Sequence, residues 1–472
     1  MTSKTITIKP VTRIEGHANV RIDLDSKGNI QFAGLIVKEF RGFEKILTSM
    51  EVESMPLITA RICGVCPVSH HLVSARTLDQ VFQVESSRAG LMLREAMNLG
   101  GFIHSHTLAL FVLSGPDLLL GPDSDSGKRN IVGLIEAAPD IAKKALALRT
   151  IGQRIVECIG GRGVHPVTAI AGGMSKALGD DERERLLSYA RDALGIVKEL
   201  SPVVKEMLFR LVDTFPEILK KTEDKTYYMG TVKNGKLNLI EGRIRVIDPS
   251  GKIVNEFDAS DYANHIIEEP VDWSYMKPTS LKTETGEHTY QVNALARINV
   301  ADGMETPEAQ KELDLFRKKF GRPCHYIVMN HYARLIELIY ACEKLKQLLE
   351  DPAITGAPRT EVPIGIPQNG IAHIEAPRGT LFHDYTVNED GIVQKANLVI
   401  ATQQNYKSIN QAIRRSAEYF MNKSNADLEN SVEFFIRTYD PCLSCATHAV
   451  GKIPMNIFIY RNGELEQTIR RS

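Results

Sequence analysis

The chain has 472 residues, of which 43% are hydrophobic and 24% are charged, a composition typical of a globular protein that can bury a large core or form two domains. Its formal net charge of −1 argues against nucleic acid or an anionic membrane surface as a partner. No uninterrupted apolar run approaches the roughly 20 residues of a membrane span, and residues 1–10 lack the apolar core of a signal peptide, so we expect a cytoplasmic protein.

The N-terminal region is predicted to be a β structure. Residues 4–40 alternate polar and apolar side chains, which predicts an antiparallel ribbon. The link after the first strand contains Thr12–His17, with the sequence Thr-Arg-Ile-Glu-Gly-His. Taken alone, Glu15 would be a surface carboxylate paired with Arg13. Taken alone, Glu44 would be an acid in the first turn of a helix, where the helix dipole favours it.

The first cysteine pair lies in Arg61–His70, which reads Arg-Ile-Cys-Gly-Val-Cys-Pro-Val-Ser-His. A helical pattern starts near Cys63 and Cys66 and runs to about Phe82. Thiols at a helix N-terminus have a lowered pKa and bind metals as thiolates. His70 follows Cys66 by four residues and faces the same side of the helix. It is either a hydrogen-bond partner of a sulfur or a core histidine satisfied by the backbone.

Helical periodicity dominates the rest of the chain and predicts an up-and-down bundle of long helices. The predicted helices are residues 86–119, 128–161, 181–214, 306–320, 326–350, 405–421 and 427–438. Residues 226–300 predict a peripheral β insertion with a hairpin over 243–257, and residues 381–401 predict two further strands. The glycine-rich link at 160–174 lacks the strand and the spacing of a dinucleotide fingerprint, so we expect no NAD site in this chain.

Two polar residues between the cysteine motifs are ordinary when read alone. Asp117, in Ser114–Asp117 at the end of a helical pattern, fits a turn. Arg378, in Glu375–Thr380, fits a solvated or ion-paired side chain.

The second cysteine pair lies in Asp440–His448, which reads Asp-Pro-Cys-Leu-Ser-Cys-Ala-Thr-His. A fold that brings Cys442 and Cys445 to the first pair would form one buried soft-metal site. The alternatives are redox disulfides, unrelated buried thiols and a structural zinc ion, although zinc ribbons keep their pairs only roughly 15 to 20 residues apart. Seven cysteines in all, with two close pairs, suit metal binding in a reducing compartment better than a disulfide framework. The other three are isolated and fit buried thiols: Cys158, Cys324 and Cys342.

The two cysteine motifs closely resemble the metal-binding signatures of the nickel–iron hydrogenase large (catalytic) subunit. They are most similar to those of cytoplasmic, bidirectional, NAD-reducing enzymes. The Thr12–His17 string and the Ala-Pro-Arg-Gly string at 376–379 extend the resemblance over essentially the whole chain. It implies a mainly α fold with peripheral β structure (α+β): a long-helix bundle around a buried metal site, an N-terminal antiparallel β ribbon and inserted β hairpins. We expect a single large-subunit domain over 1–472, with the ribbon at 1–40, the helical body at 41–225 and 301–448, the β insertion at 226–300 and a C-terminal extension at 449–472.

The resemblance also implies the cofactor and its ligands. Nickel would bind all four sulfurs, with Cys63 and Cys442 as terminal ligands. Cys66 and Cys445 would be shared with an iron that carries carbon monoxide and cyanide, a Ni-Fe(CO)(CN)2 centre. Glu15 would be the proton gate, and Cys442 would take the proton released from dihydrogen.

Further residues acquire roles by the same resemblance. Arg378 would lie over the metal centre, where its guanidinium donors face anionic diatomic ligands. Glu44 and His448 would bind Mg²⁺, although the spacing from Glu15 to Glu44 is slightly longer than in better-known members and suggests a small insertion. The outer residues implied around the centre are His70, Asp117 and Asp440.

The implied activity is reversible heterolytic cleavage of H2 with NAD(P) as the acceptor. The chain has no spare cysteine cluster for iron–sulfur relays, and we expect no flavin site in it. The electrons would therefore be carried by flavin-containing diaphorase subunits together with an iron–sulfur small subunit. One alternative is the same catalytic chain in an electron-bifurcating, deazaflavin-linked or heterodisulfide-linked complex; the β insertion and the start of the tail favour the NAD-linked form. A remote alternative is a zinc-stapled structural relative, against which the four cysteines, Glu15 and Arg378 argue.

The segment after His448 is a further point of comparison. In family precursors a dedicated endopeptidase removes such an extension after the histidine, once nickel has been inserted with the help of nickel chaperones. The chain, which continues to Ser472, is therefore either an unprocessed precursor or a member that keeps its tail.

Overall fold

The computed structural model describes residues 4–122, 124–125, 127–421, 424–447, 455–461 and 464–471. Its strands, in chain order, are β1 (Lys4–Ile8), β2 (Asn19–Leu24), β3 (Ile30–Ile36), β4 (Ala169–Ile170), β5 (Gly173–Met174), β6 (Tyr227–Lys233), β7 (Lys236–Leu237), β8 (Arg243–Ile247), β9 (Ile253–Phe257), β10 (Ile266–Glu268), β11 (Thr279–Thr283), β12 (Gly286–His288), β13 (Tyr290–Gln291), β14 (Gly370–Ala376), β15 (Gly379–Val387), β16 (Val393–Val399), β17 (Met455–Arg461) and β18 (Glu464–Arg471).

Helices form most of the body. In chain order they are α1 (Phe43–Ile46), α2 (Met55–Thr59), α3 (Pro67–Val81), α4 (Arg88–Thr107), α5 (Gly115–Leu120), α6 (Ile131–Ala137), α7 (Pro139–Gly160), α8 (Asp180–Thr214), α9 (Pro216–Lys221), α10 (Tyr262–His265), α11 (Ala294–Val300), α12 (Pro307–Phe320), α13 (Asn330–Glu350), α14 (Ala401–Gln404), α15 (Tyr406–Phe420), α16 (Asn425–Tyr439) and α17 (Leu443–Ala446). The chain is 51% helix and 19% strand in small sheets, which confirms the predicted α+β class.

The N-terminal ribbon forms as predicted. Strands β1, β2 and β3 pair antiparallel in that order. Alternate residues of β2, including Val20 and Ile22, are fully buried, while the residues between them are half-exposed. This alternation places one face of the ribbon against α15, so the link that holds Glu15 is attached to the helical body.

Four long helices make the centre of the body: α4 packs against α7 and α13, and α8 packs against α7 and α13. Two predicted helices are broken in the structure. The pattern over 86–119 becomes α4, a wide π turn at Leu108–Leu113 and α5. The pattern over 128–161 becomes α6 and α7, because Pro139 at the first position of α7 ends hydrogen bonding from the preceding helix.

One helical stretch is long and apolar on average, although it is not an uninterrupted apolar run. Arg88–Leu113 is long and apolar enough to cross a membrane by length and composition. However, 72% of its most apolar window is buried inside the protein, against α7 and α13. A helix that is apolar all round is expected in the core of a large protein.

The β insertion contains more strands than predicted. The hairpin of β8 and β9 is present, and it belongs to a sheet in the order β13-β6-β8-β9, with β7 paired to β6. A separate sheet has the order β10-β11-β12, and another has the order β14-β15-β16. The prediction missed β14, and the tight connection from β14 to β15 contains Arg378.

Candidate metal centre

Two chain segments bring the four cysteines together. Cys66 is the N-cap of α3 and Cys442 is the N-cap of α17. The Sγ–Sγ distances are 3.3 Å for Cys63–Cys442, 3.8 Å for Cys66–Cys442, 3.1 Å for Cys66–Cys445 and 3.1 Å for Cys442–Cys445. All four sulfurs lie within 4.8 Å of one another, and all four residues are buried. An ion about 2.3 Å from four tetrahedral sulfurs would set them about 3.8 Å apart, so the cluster has the size of a metal site.

The electrostatics of the cluster also fit a cation. Hydrogen bonds from the other three thiols hold the pKa of Cys63 well below its usual range. Burial raises the pKa values of Cys442 and Cys445 well above theirs. The protein by itself therefore favours one thiolate and opposes the others, and a bound cation would supply the charge that lets them ionise. Four convergent sulfurs are the donor set expected for a soft metal.

Arg378 is buried beside the cysteines. Its Nε donates to the carbonyl oxygen of Asp440 at 2.7 Å, and its Nη2 donates to Asp440 Oδ1 at 2.9 Å. Burial lowers the pKa of Arg378, but Asp440 and the cysteine thiolates together hold it well above its usual range. A small cavity is lined by Arg378 together with Cys66, Cys442 and Cys445.

Asp440 is held in an unusual conformation. Its φ of 53° lies in the left-handed region at the end of α16, next to the second cysteine motif. This conformation turns both its carbonyl and its carboxylate toward Arg378. Within the described part of the chain, Asp440 Oδ2 is buried and has no hydrogen-bond partner.

The connection that presents Arg378 is fixed by a second arginine, which the sequence reading missed. Arg297 on α11 donates to the carbonyls of Ala376 at 2.8 Å and Pro377 at 3.0 Å, and to Glu375 Oε2 at 3.1 Å. It also pairs with both carboxylate oxygens of Glu337, at 2.6 and 2.7 Å. The only sequence signal was an arginine within the otherwise largely apolar run 294–300.

His70 contacts a sulfur, as one of its two interpretations required. Its Nε2 lies 3.4 Å from Cys445 Sγ, in the other motif, and its Nδ1 lies 3.1 Å from His383 Nε2. Burial lowers the pKa of His70 to about 4, so the ring is neutral at physiological pH. Sequence reading did not identify His383, whose signal is the pattern His-x-Tyr along β15.

Glu15 lies against the second cysteine motif. Its backbone oxygen accepts from the Leu443 N–H at 3.1 Å, and its Oε2 accepts from the Ser444 N–H at 3.0 Å. Its side chain is half-buried. Gly16 permits this approach, since a Cβ at Gly16 would lie 2.8 Å from Leu443 Cβ. Arg13 was predicted to pair with Glu15 if Glu15 were a surface carboxylate, but its guanidinium donates to Asp117 at 2.5 Å instead.

Asp117 is fully buried among arginines. Besides Arg13, it contacts Arg437 at 3.0 Å and Arg129 at 3.1 Å. The structure thus places Asp117 so that it anchors the segment before Glu15, and its contacts are with these arginines.

Of the two predicted Mg²⁺ ligands, the structure describes Glu44 and not His448. Glu44 is in the first turn of α1, its Oε1 accepts from the Leu398 N–H at 3.2 Å, and its Oε2 lies 3.6 Å from Lys277 Nζ. His448 lies outside the described residues.

Comparisons with known proteins cover nearly all of the chain. A model of the family described as nickel-dependent hydrogenase matches residues 41–119 and 143–448, and one described as HoxL-like matches residues 5–40. A vhc subunit of the F420-non-reducing hydrogenase of Methanococcus voltae is 40% identical over 473 residues, covering 98% of this chain and 99% of the relative. The NAD-reducing hydrogenase HoxS subunit beta of Cupriavidus necator is 35% identical over 488 residues, covering 97% of each. A crystal structure of an NAD+-reducing nickel–iron hydrogenase in the H2-reduced state has a TM-score of 0.88 at 33% identity, covering 94% of this chain and 99% of that chain.

Proposed function

The chain belongs to the nickel-dependent hydrogenase family as the catalytic large subunit of a nickel–iron hydrogenase, and we propose that it works in the cytoplasm and passes electrons from H2 to NAD(P) through partner subunits. The observation that carries the catalytic part of the proposal is the buried group of four cysteines with Arg378 at its side. The family match favours nickel over the structural zinc ion and the disulfides that the cysteine spacing alone left open.

The four cysteines divide into two roles. Cys63 and Cys442 would hold nickel alone, and Cys66 and Cys445 would hold both nickel and iron. Arg378 lines the small cavity beside Cys66 and Cys445, so its guanidinium donors would face carbon monoxide and cyanide on that iron. When bound, the nickel–iron centre supplies the site at which the H–H bond is split and the electrons are taken up.

The protein supplies the proton route. Cys442 takes the proton on its sulfur, since a thiolate beside a metal has a pKa near the working range. Glu15 passes the proton on. Its carboxylate is fixed by the backbone N–H of Ser444, two residues after Cys442, and its side chain is half-exposed. Asp117 and Arg13 hold the segment that precedes it.

A Mg²⁺ ion bound by Glu44 and His448 completes the proposed site. Carboxylate and backbone oxygens are the ligands that Mg²⁺ prefers. Glu44 faces Leu398 on β16, in the sheet whose β14–β15 connection contains Arg378.

The proposed partners are diaphorase subunits that contain flavin and iron–sulfur clusters, together with an iron–sulfur small subunit. During maturation, nickel chaperones and an endopeptidase acting after His448 would serve the chain. The NAD-reducing relative and solved structure support this assignment. A second candidate is the same catalytic chain in a complex with another acceptor, such as an electron-bifurcating or heterodisulfide-linked one. The 40% identity to the F420-non-reducing relative favours it.

Elemental analysis of the purified native complex, with an infrared spectrum of the same sample, tests the proposal. We expect nickel and iron, with cyanide and carbonyl stretches. Zinc alone without those stretches would overturn it. H2-dependent reduction of NAD or NADP by the same complex would decide the acceptor, and its absence in a complex that consumes H2 with an artificial dye would favour the second candidate.

A cysteine variant provides the matched control. Cys445→Ala is expected to lose the centre and its infrared bands. Cys342 is also buried but lies on α13, outside the cysteine cluster, so Cys342→Ala should keep both. Normal nickel content in Cys445→Ala would contradict the shared-ligand role.

A further inference from the structure

A buried row of polar side chains leads away from Cys445. Helix α3 presents His70 and Ser74, one turn apart, and strand β15 presents His383 and Tyr385, two residues apart on one face. His70 Nε2 contacts Cys445 Sγ, and His70 Nδ1 contacts His383 Nε2. The other ring nitrogen of His383, Nδ1, lies 2.6 Å from the Tyr385 hydroxyl, and that hydroxyl lies 2.9 Å from Ser74 Oγ.

The four side chains are isolated from water. Each has a relative exposure of 1% or less. Burial away from water favours the neutral form of each ring, and a neutral imidazole carries one proton and has one donor and one acceptor nitrogen. The 3.1 Å contact between His70 Nδ1 and His383 Nε2 fits a donor on one ring and an acceptor on the other.

The end of the row decides its direction. A cysteine that binds a metal is a thiolate and can only accept a hydrogen bond. His70 must then carry its proton on Nε2, which leaves Nδ1 as an acceptor. His383 must in turn donate from Nε2, which leaves its Nδ1 to accept the Tyr385 hydroxyl proton, and Tyr385 accepts from Ser74.

We propose that His383, Tyr385 and Ser74 are positioning residues that keep His70 as a hydrogen-bond donor to Cys445 Sγ. The inference rests on the proposed function, because it requires a metal on Cys445. The row acts on the reaction through that sulfur. A donor on a shared thiolate withdraws electron density from it and hence from the iron, and outer hydrogen bonds of this kind tune a metal centre.

In a reversed row, the Nε2 lone pair of His70 would face the lone pairs of the sulfur. The contact would then be repulsive. The row thus selects one of two tautomers of His70, and the selecting groups lie on a strand and a helix turn that do not touch the metal.

Infrared spectroscopy of the native complex tests this. Tyr385→Phe is expected to keep nickel and iron and to shift the carbonyl and cyanide stretches to lower wavenumber, because a more electron-rich iron donates more density to these ligands. Tyr228→Phe is the matched control. Tyr228 is also a buried tyrosine whose hydroxyl hydrogen-bonds to a histidine, 2.8 Å from His325 Nδ1, but that pair does not contact His70 or His383. Its bands should remain at the wild-type positions.

A second pair of variants separates donation from packing. His383→Gln retains an amide N–H near the Nε2 position and should give bands near those of the wild type. His383→Leu should shift them as Tyr385→Phe does. Bands that stay unchanged in both Tyr385→Phe and His383→Leu, with full nickel and iron, would overturn the row and leave the hydrogenase assignment intact. Absence of nickel and iron from the wild type would instead overturn the assignment.

Neutron diffraction from crystals of the native wild-type complex keeps the test decisive if the variants fail to assemble. We expect hydrogen on Nε2 of both His70 and His383. Hydrogen on Nδ1 of His70, with or without one on Nε2, would overturn the proposal.

Discussion

The most direct test of a single residue concerns Glu15. Its carboxylate is placed by the Ser444 N–H rather than by a charge, so Glu15→Gln should fit the same space and keep nickel and iron. If Glu15 carries protons, H2-dependent dye reduction should fall by about 10²–10⁴-fold, the usual contribution of a proton-transfer group. Glu15→Asp, which still carries a proton, should recover part of the rate. Full activity of Glu15→Gln with normal metal content would remove Glu15 from the proton route.

A second residue-scale prediction concerns Glu95, outside the metal centre. Burial raises the pKa of Glu95 to about 7, despite Lys344 at 4.0 Å. The folded protein therefore binds the proton more tightly than the unfolded chain, whose carboxyl has a pKa of 4.5. The ionised carboxylate destabilises the fold increasingly as pH rises from about 4.5 to 7, by roughly 2–3 kcal/mol in total, and the penalty is constant above that range.

Glu95→Gln removes this penalty. The variant should have a higher thermal midpoint than the wild type at pH 8 and a nearly equal one at pH 5. The control is Glu199→Gln, whose side chain is 59% exposed and which should show no such difference. A stabilising effect of Glu95→Gln that is equal at both pH values would contradict the explanation.

Site residues could be picked out from the sequence only where they lie in a motif. The four cysteines, Glu15, Arg378 and His70 stand in continuous strings, and the structure brings them to one place. Arg297 and His383 were missed because what they do depends on partners that are distant in sequence: Arg297 reaches Glu375 across 78 residues, and His383 reaches His70 across 313. Hydrophobic periodicity carries no information about such pairs.

At the scale of elements, the contact between α4 and α7 depends on two glycines. A Cβ at Gly152 would lie 2.7 Å from both the Gly100 carbonyl oxygen and the His104 backbone nitrogen. Neither backbone atom can move without displacing α4, which contains Ser105 next to Arg378. Gly152→Ala should therefore lower stability by about 1–3 kcal/mol.

The same substitution in open space should act in the opposite direction. Nothing lies within 4 Å of a Cβ at Gly195, in the middle of α8. Gly195→Ala should raise stability by about 0.5–1 kcal/mol, because alanine loses less backbone freedom on folding. Thermal unfolding of the two variants decides the point, and equal midpoints would show that α4 and α7 are not in tight contact.

The elements that sequence patterns predicted are those with one buried face. The ribbon, α8 and the hairpin of β8 and β9 alternate or repeat clearly, and the predicted bounds are within one or two residues of the observed ones. Strand β14 was missed because nearly all its residues are buried. It packs on α3, and its two polar side chains, His373 and Glu375, are buried as well, so no exposed polar face accompanies the strand. The two broken helices kept an apolar pattern across the break, although Pro116 and Pro139, each at the start of the following helix, marked the two breaks.

At the scale of the whole molecule, the metal centre joins two ends of the chain. Cys63 and Cys442 are 379 residues apart, and Glu15 adds the N-terminal link by bonding to Leu443 and Ser444. No local pattern predicts that these segments meet; the sequence supported the inference because the two cysteine motifs resemble the metal-binding signatures of one family. A metal that binds only the folded arrangement adds its binding free energy to the stability of that arrangement.

The metal should therefore stabilise the junction of the two ends more than the helical body. We expect hydrogen exchange of the Leu443 and Ser444 amides, which bond to Glu15, to slow more on metal loading than exchange of amides in the middle of α8. The measurement compares metal-free and metal-loaded protein by mass spectrometry of peptides from both regions. Cys445→Ala, which should not assemble the centre, serves as the control and should show no slowing. If the two regions slowed equally, the metal would act on the fold as a whole, and the junction would not be the part of the structure that depends on it.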